Sequence, residues 1–253
     1  MDTLHLTQRL DEFIATSSCP LIVLLGPTAS GKTALSIQLA HELKNVEIIN
    51  ADSRHLYQYL NIGTAKIMPV EMQSIPHHLL DVLDPKQEAT AAWYKKQAGR
   101  VIGEIHSRKN IPILVGGSML YISAVIDDLA FPVDPQERQT LQQRKNLAPR
   151  DDLFIIGIER PRKELMQRIN ARTHELFARG WVEEVRALLK RGYASGDPAM
   201  KSHGYREIIR YLQTGVPSLE KLEEVISSKT RHYAKRQMTW WKNDSRITWI
   251  TPD

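Results

Sequence analysis

Apolar residues fall into five short runs set between longer amphipathic stretches. The runs cover 21–25 (Leu-Ile-Val-Leu-Leu), 46–49, 111–115, 154–158 and 247–250, with a weaker one at 78–82. Short, nearly continuous apolar runs suit strands covered on both faces, as in a parallel sheet. Between them, helical spacing predicts helices over 34–43, 89–108, from Met119 onward, across 162–190 and over 218–241. In 162–190, Leu165, Ile169, Leu176, Phe177, Val182, Val185, Leu188 and Leu189 recur at helical intervals, and Gly180 marks a break between two helices. Strand and helix alternate along the chain, which predicts an α/β doubly wound core. Residues 131–152 break the pattern. Pro132, Asp134, Pro135, Glu137, Arg138, Arg144 and Lys145 make this stretch polar, and it reads as a short surface link with one small helix. On this reading residues 1–253 form a single domain without internal repeats.

Composition narrows the class without naming a chemistry. A chain of 253 residues can bury one large core. Its formal net charge of +5 permits an anionic partner such as a nucleic acid without requiring one. The single cysteine, Cys19, excludes an internal disulfide and is expected to be a small buried filler. No basic leader with a long apolar stretch opens the sequence, and no apolar run approaches the roughly 20 residues of a membrane span. The expectation is a cytoplasmic protein, working as a monomer.

The sharpest chemical signal follows the first strand. Gly26-Pro27-Thr28-Ala29-Ser30-Gly31-Lys32-Thr33 fits the pattern G-x-x-x-x-G-K-[ST] between a strand and a helix. Glycines let the backbone close around a phosphate with its N–H groups turned inward, and the helix start adds its dipole. Lys32 supplies a point charge and Thr33 a hydroxyl for Mg2+. The fold class sharpens accordingly: P-loop NTPase-like, with a mostly parallel sheet flanked by helices. At the end of the second strand lies Asp52, followed by Ser53. A carboxylate there can hold the shell of Mg2+ or act as a general base, and it can also cap a helix. Near the end of the chain, Lys229, Arg231, His232, Tyr233, Lys235, Arg236, Trp240, Trp241 and Lys242 interleave cations with aromatic rings. Such a segment suits diphosphate binding or RNA contact, and it equally suits a solvated basic face over a tryptophan core.

Taken together these segments resemble the tRNA dimethylallyltransferase family. The matching pieces are Gly26–Thr33, Asp52-Ser53 with Leu56-Tyr57, Ile62-Gly63-Thr64-Ala65-Lys66, Pro76-His77-His78-Leu79 and Asp81-Val82-Leu83-Asp84-Pro85. Further along stand Val115-Gly116-Gly117-Ser118-Met119-Leu120-Tyr121, Gly204-Tyr205-Arg206-Glu207 and 230–237 (Thr-Arg-His-Tyr-Ala-Lys-Arg-Gln). They occur in family order and cover most of the chain. The resemblance implies transfer of a dimethylallyl group from dimethylallyl diphosphate to N6 of adenine 37, beside the anticodon of tRNAs reading codons that begin with U. It makes Asp52 the base toward the adenine amine, and the P-loop with Lys32, Thr33 and Mg2+ the cradle for departing diphosphate. Ser118 stands where the family has a Thr lining the channel between the substrates. Arg231, with Lys235 and Arg162, is expected on diphosphate or RNA phosphates. Ser53, Arg54, His55, Ser118, Lys235 and Arg236 are expected beside the tRNA.

Two departures accompany the resemblance. Arg54 and His55 replace a small or Met residue followed by Gln or Leu, at positions that touch the target adenine and its neighbours in the family. The link at 131–152 stands in place of a helical insertion that grips the anticodon stem. That second departure admits an alternative, an adenylate isopentenyltransferase acting on free AMP, ADP or ATP. A P-loop small-molecule kinase is a more distant one, with Arg138, Arg144 and Arg150 imitating a lid.

Overall fold

The computed structural model describes residues 3–129 and 152–252. Its elements, in chain order, are α1 (Thr3–Thr16), β1 (Leu21–Leu25), α2 (Lys32–Leu43), β2 (Val46–Asn50), β3 (His77–His78), α3 (Ala91–Ser107) and β4 (Ile111–Gly116). They continue with α4 (Met119–Ile126), β5 (Leu153–Ile158), α5 (Arg162–Ala178), α6 (Trp181–Lys190), α7 (Tyr205–Thr214), α8 (Leu219–Trp241) and β6 (Ile247–Ile250). The strands form one sheet in the order β3-β2-β4-β1-β5-β6, and every pairing is parallel.

Strand β1 shows why its run is apolar at every position. Leu21, Val23 and Leu25 enter one hydrophobic cluster, while Ile22 and Leu24 enter another on the opposite face. Side chains alternate across a strand, so a central strand with helices on both sides needs apolar residues throughout. Full burial of each such side chain contributes about 1.5–3 kcal/mol. Parallel pairing aligns the carboxyl ends of β1, β2, β4 and β5 along one edge. The loops that follow β1, β2 and β4 therefore meet there, where open α/β sheets bind their ligands.

Several expectations change. The weak run at 78–82 contributes only His77–His78 as a strand, and the chain then turns, with Leu79 and Asp81 at positive φ. Cys19 is exposed rather than buried, because it lies in the turn that joins α1 to β1. Helices α1 and α7 were not anticipated. In α1, Leu6 and Leu10 are buried, with Phe13 and Ile14 packed against the same cluster. Helix α7 starts at Gly204, whose N–H donates to Glu207 Oε2 at 2.7 Å. The link expected at 131–152 lies outside the described residues apart from Asp152, whose carbonyl accepts from Leu21 N at 2.8 Å. Among the described residues no helix is long and apolar enough to cross a membrane.

Candidate active site

The loop after β1 wraps tightly. Ser30 N donates to Pro27 O at 3.3 Å, Ala29 takes φ 62°, and Gly31 takes φ 106° at the start of α2. A left-handed φ of that size suits glycine, which explains Gly31. No side chain caps α2, so its first N–H groups and the positive end of its dipole remain available to an anion. Lys32 folds over the loop, its Nζ donating to Gly26 O at 3.0 Å and Pro27 O at 2.8 Å. Burial draws its pKa down to about 8; the Asp52 carboxylate opposes that and Arg172 adds to it.

Asp52 stands two residues beyond β2, at the start of the loop that follows it. Its Oδ1 accepts from Arg54 N at 2.9 Å, its own N–H donates to Asn50 Oδ1 at 2.9 Å, and Asn50 Nδ2 donates back to its carbonyl at 3.0 Å. The side chain therefore closes a local turn rather than capping a helix. Burial, the largest single influence, pushes its pKa up, yet His55, the Arg54 N–H, Lys32 and the Arg54 charge together hold it below the usual carboxylate value. Asp52 is thus ionised at neutral pH. His55 is held below its ordinary value by burial, against the pull of Asp52, and its Nε2 lies 3.0 Å from Thr64 O. A carbonyl only accepts, so Nε2 carries the proton.

A cavity of about 540 Å3 opens over Asp52. Thr28 and Ala29 of the P-loop, Ser53 and Arg54, Gly63 to Ala65, Ile169, Arg172 and Thr173 of α5, and Tyr233 of α8 form its walls. A second groove of about 480 Å3 runs along the outer side of the P-loop past Gly31, Lys32, Thr33, Arg168, Arg172 and Arg179. Ala29, Ala65, Arg172 and Leu176 belong to both and form a common wall between them. Lys32, Thr33, Asp52 and His55 also line a smaller hollow behind that wall. Lys32 and the Asp52 carboxylate thus face a shared centre from two sides.

The expected residues divide into groups. Thr28, Ala29, Gly31, Lys32 and Thr33 of the loop, with Asp52, Ser53, Arg54 and Arg236, line the cavities, whereas Gly26, Pro27 and Ser30 do not: the carbonyls of Gly26 and Pro27 hold Lys32, and Ser30 is buried. His55 lies behind, in the small hollow. Ser118 is buried, and its Oγ accepts from Ser53 N at 2.8 Å, so it ties the loop after β4 to the loop after β2. Arg231 and Lys235 do not line these cavities. Arg231 points toward α5, where its guanidinium donates to Asn170 Oδ1 at 2.5 Å, and Lys235 is exposed.

Other groups went unnoticed in the sequence. Arg160 Nε donates to Ser30 O at 2.8 Å and Arg168 Nε to Ala29 O at 2.9 Å, so the P-loop is held from the turn after β5 and from α5. Arg172, one turn beyond Arg168, enters both cavities; burial lowers its pKa while Asp52 raises it. The i, i+4 spacing of Arg168 and Arg172 on one face of α5 was a usable signal. Gln237 bridges two loops, with Thr28 N donating to its Oε1 at 2.9 Å and its Nε2 donating to Gly117 O at 2.8 Å. Glu184 accepts from the N–H groups of Asn61, Ile62 and Gly63 and from the Tyr205 hydroxyl, fixing the loop that carries the far wall. That wall presses on Trp181 so closely that a Cβ on Gly63 would collide with the indole.

Fold and site together define a P-loop α/β protein with an ionised carboxylate beside the glycine-rich loop and its lysine. A family model described as IPP transferase matches residues 55–149 and 134–244. The chain is 37% identical to a tRNA dimethylallyltransferase of Geobacter sulfurreducens, over 93% of this chain and 93% of that one. It is 35% identical to one from Carboxydothermus hydrogenoformans, with 91% of each covered. Among solved structures, the full-length tRNA isopentenylpyrophosphate transferase of Bacillus halodurans superposes with a TM-score of 0.79 at 31% identity, covering 92% of this chain and 90% of that one. The chain belongs to the IPP transferase family, that of the tRNA dimethylallyltransferases.

Proposed function

We propose that this protein transfers a dimethylallyl group from dimethylallyl diphosphate to N6 of adenine 37 in a tRNA anticodon loop, releasing diphosphate. The observation that carries this reading is the pair of cavities sharing one wall, with ionised Asp52 lining one and Lys32 of the P-loop with Arg168 and Arg172 of α5 along the other. An exocyclic adenine amine is a weak nucleophile, because its lone pair is drawn into the ring. As the new C–N bond forms, Asp52 accepts the amine proton. The bond from the allylic carbon to diphosphate breaks, and the growing negative charge meets Lys32, the P-loop N–H groups and Arg172. Ser118 and Gln237 hold the loops that present these groups.

The oxygen chemistry beside Lys32 suits Mg2+. The Thr33 hydroxyl is exposed in the groove and has no hydrogen-bond partner among the described residues. Mg2+ is commonly held by one or two protein oxygens, with substrate phosphates and water completing its shell. In this reading Thr33 holds the ion, which when bound neutralises charge on the diphosphate.

The mouth of the larger cavity supports a polyanionic acceptor. Lys201, Arg206, Lys229 and Arg236 rim it, and the acidic side chain beside them, Glu207, is already bonded to Lys229 at 2.6 Å. A free nucleotide would use little of that rim. The G. sulfurreducens match runs over 291 aligned positions, more than this chain's 253 residues, which supports a compact form lacking a stretch its relative has. The short link at 131–152 in place of a helical insertion, action as a monomer and a cytoplasmic location belong to the same proposal. The test is a transfer assay with labelled dimethylallyl diphosphate and Mg2+, offering an anticodon stem-loop with a run of adenines and, separately, AMP and ATP. Label on the RNA is the expected result. Label on free nucleotides alone would refute it.

A further inference from the structure

A second surface, outside both cavities, has the chemistry to hold RNA. Tyr59 stands at φ 68°, a left-handed conformation that is strained for a bulky aromatic residue. Arg191, at the end of α6, packs its guanidinium 4.3 Å from the centre of that ring. Tyr193 lies beside it, ring centres 6.3 Å apart, and Lys86 reaches over the Tyr193 ring at 5.7 Å. The nearest acid, Asp84, is engaged, accepting from the Tyr193 hydroxyl at 2.8 Å. With Arg191 against it, Tyr59 still leaves 41% of its surface in solvent.

We infer that Tyr59, Tyr193, Arg191 and Lys86 form a stacking platform for an RNA nucleotide that flanks the reacting adenine. The inference rests on the proposed tRNA reading and extends it beyond the cavity. Two chain segments join the platform to the cavity. The loop from Tyr59 continues into Gly63 and Thr64, which line it, and the segment from Tyr193 continues to Lys201 and Ser202 on its rim. Four residues span at most about 14 Å, so Tyr59 stands within about two nucleotides of the cavity wall. Exposed rings with flanking cations stack bases and pair phosphates at once, which favours RNA over a neutral protein surface. Glycine would occupy φ 68° without strain, so an aromatic residue there sacrifices local stability, as expected where the ring is used.

The test uses that strain. Tyr59→Gly removes the ring while relaxing the backbone, so folding and RNA contact are separated. The stem-loop KM is expected to rise about tenfold, within the range of one lost base–aromatic stack. Its donor KM, its kcat and its melting temperature should stay at or above wild-type values. Tyr59→Phe, which keeps the ring, should stay within about twofold in stem-loop KM, and Arg191→Ala should flatten the salt dependence of RNA binding by about one unit of slope. An unchanged stem-loop KM in Tyr59→Gly, with wild-type enzyme labelling the stem-loop normally, overturns the platform alone. Wild-type enzyme that labels no RNA overturns the acceptor reading instead.

Discussion

Replacing Gln237 with leucine tests whether the site depends on a clamp remote from the reacting atoms. Gln237 is 2% exposed and makes two hydrogen bonds, accepting from Thr28 N at 2.9 Å and donating to Gly117 O at 2.8 Å. Leucine fills similar space and makes neither bond. The Thr28 N–H then loses its partner, at about 1–3 kcal/mol, while the Gly117 carbonyl loses its shorter bond and keeps the Tyr233 hydroxyl, which donates to it at 3.3 Å. Thr28 is partly exposed and recovers some of this from water. The expected loss is about 2 kcal/mol, or about 4–8 °C in melting temperature for a chain of this size. Activity should fall further than stability requires. Thr28 belongs to the P-loop, so at a temperature well below melting the donor KM should rise at least about fivefold. Gln237→Glu keeps the acceptor for Thr28 but turns a carboxylate oxygen toward the Gly117 carbonyl, and lowering the pH should relieve that repulsion. Calorimetry and steady-state kinetics on the two variants decide the matter. A leucine variant that melts within about 2 °C of wild type and keeps its donor KM would refute the clamp.

Three other predictions follow from the site. Asp52→Asn should lower kcat by about 10^2–10^4 while donor affinity, read by calorimetry, changes little; equal loss in both would give Asp52 a metal role instead. Lys32 has a folded pKa of about 8, and an anion beside it favours its charged form, so donor binding takes up a proton just above pH 8 and weakens as the pH rises further. Proton uptake should be visible as buffer-dependent binding heat at pH 8.5 and absent in Lys32→Arg. Without ligand the sign runs the other way for stability: the unfolded chain binds more protons at Lys32 than the folded one, so this residue's contribution improves from pH 8 to 10.5. Thr33→Ala should raise the Mg2+ concentration needed for half-maximal donor binding several-fold, and an unchanged Mg2+ titration would remove Thr33 from the ion's shell.

What the sequence revealed, and what it hid, follows from the distance over which each feature is determined. The P-loop and Asp52 were legible because each is set by a few adjacent residues: a strand, a tight turn and a helix start, or a strand end and an Asx-type turn. The buried strands were legible for a related reason, since burial on both faces leaves β1 no polar position. The braces were not. Gln237 lies 209 residues from the Thr28 amide that it accepts from, and Glu184 lies 121–123 residues from the N–H groups it holds. No local pattern distinguishes such a glutamine or glutamate from one on a solvated helix face.

The C-terminal helix shows the same limit more sharply, because there the pattern was read and the face was not. Helix α8 carries cations on two sides. Arg231 and Lys235 share one side, and Lys229 and Arg236 share the other with His232 and Tyr233. A helical wheel places the buried Ala234 and Gln237 between them. Charge spacing alone favours neither side. The choice is made where Ala234 packs with Ala29, Leu165 and Ile169 and where Gln237 takes hold of Thr28. Those contacts roll the helix until Tyr233 and Arg236 face the cavity and Arg231 faces Asn170. One small residue in the P-loop and one buried amide therefore decide which arginine faces the cavity, and substituting either should shift the cavity wall without touching a charge.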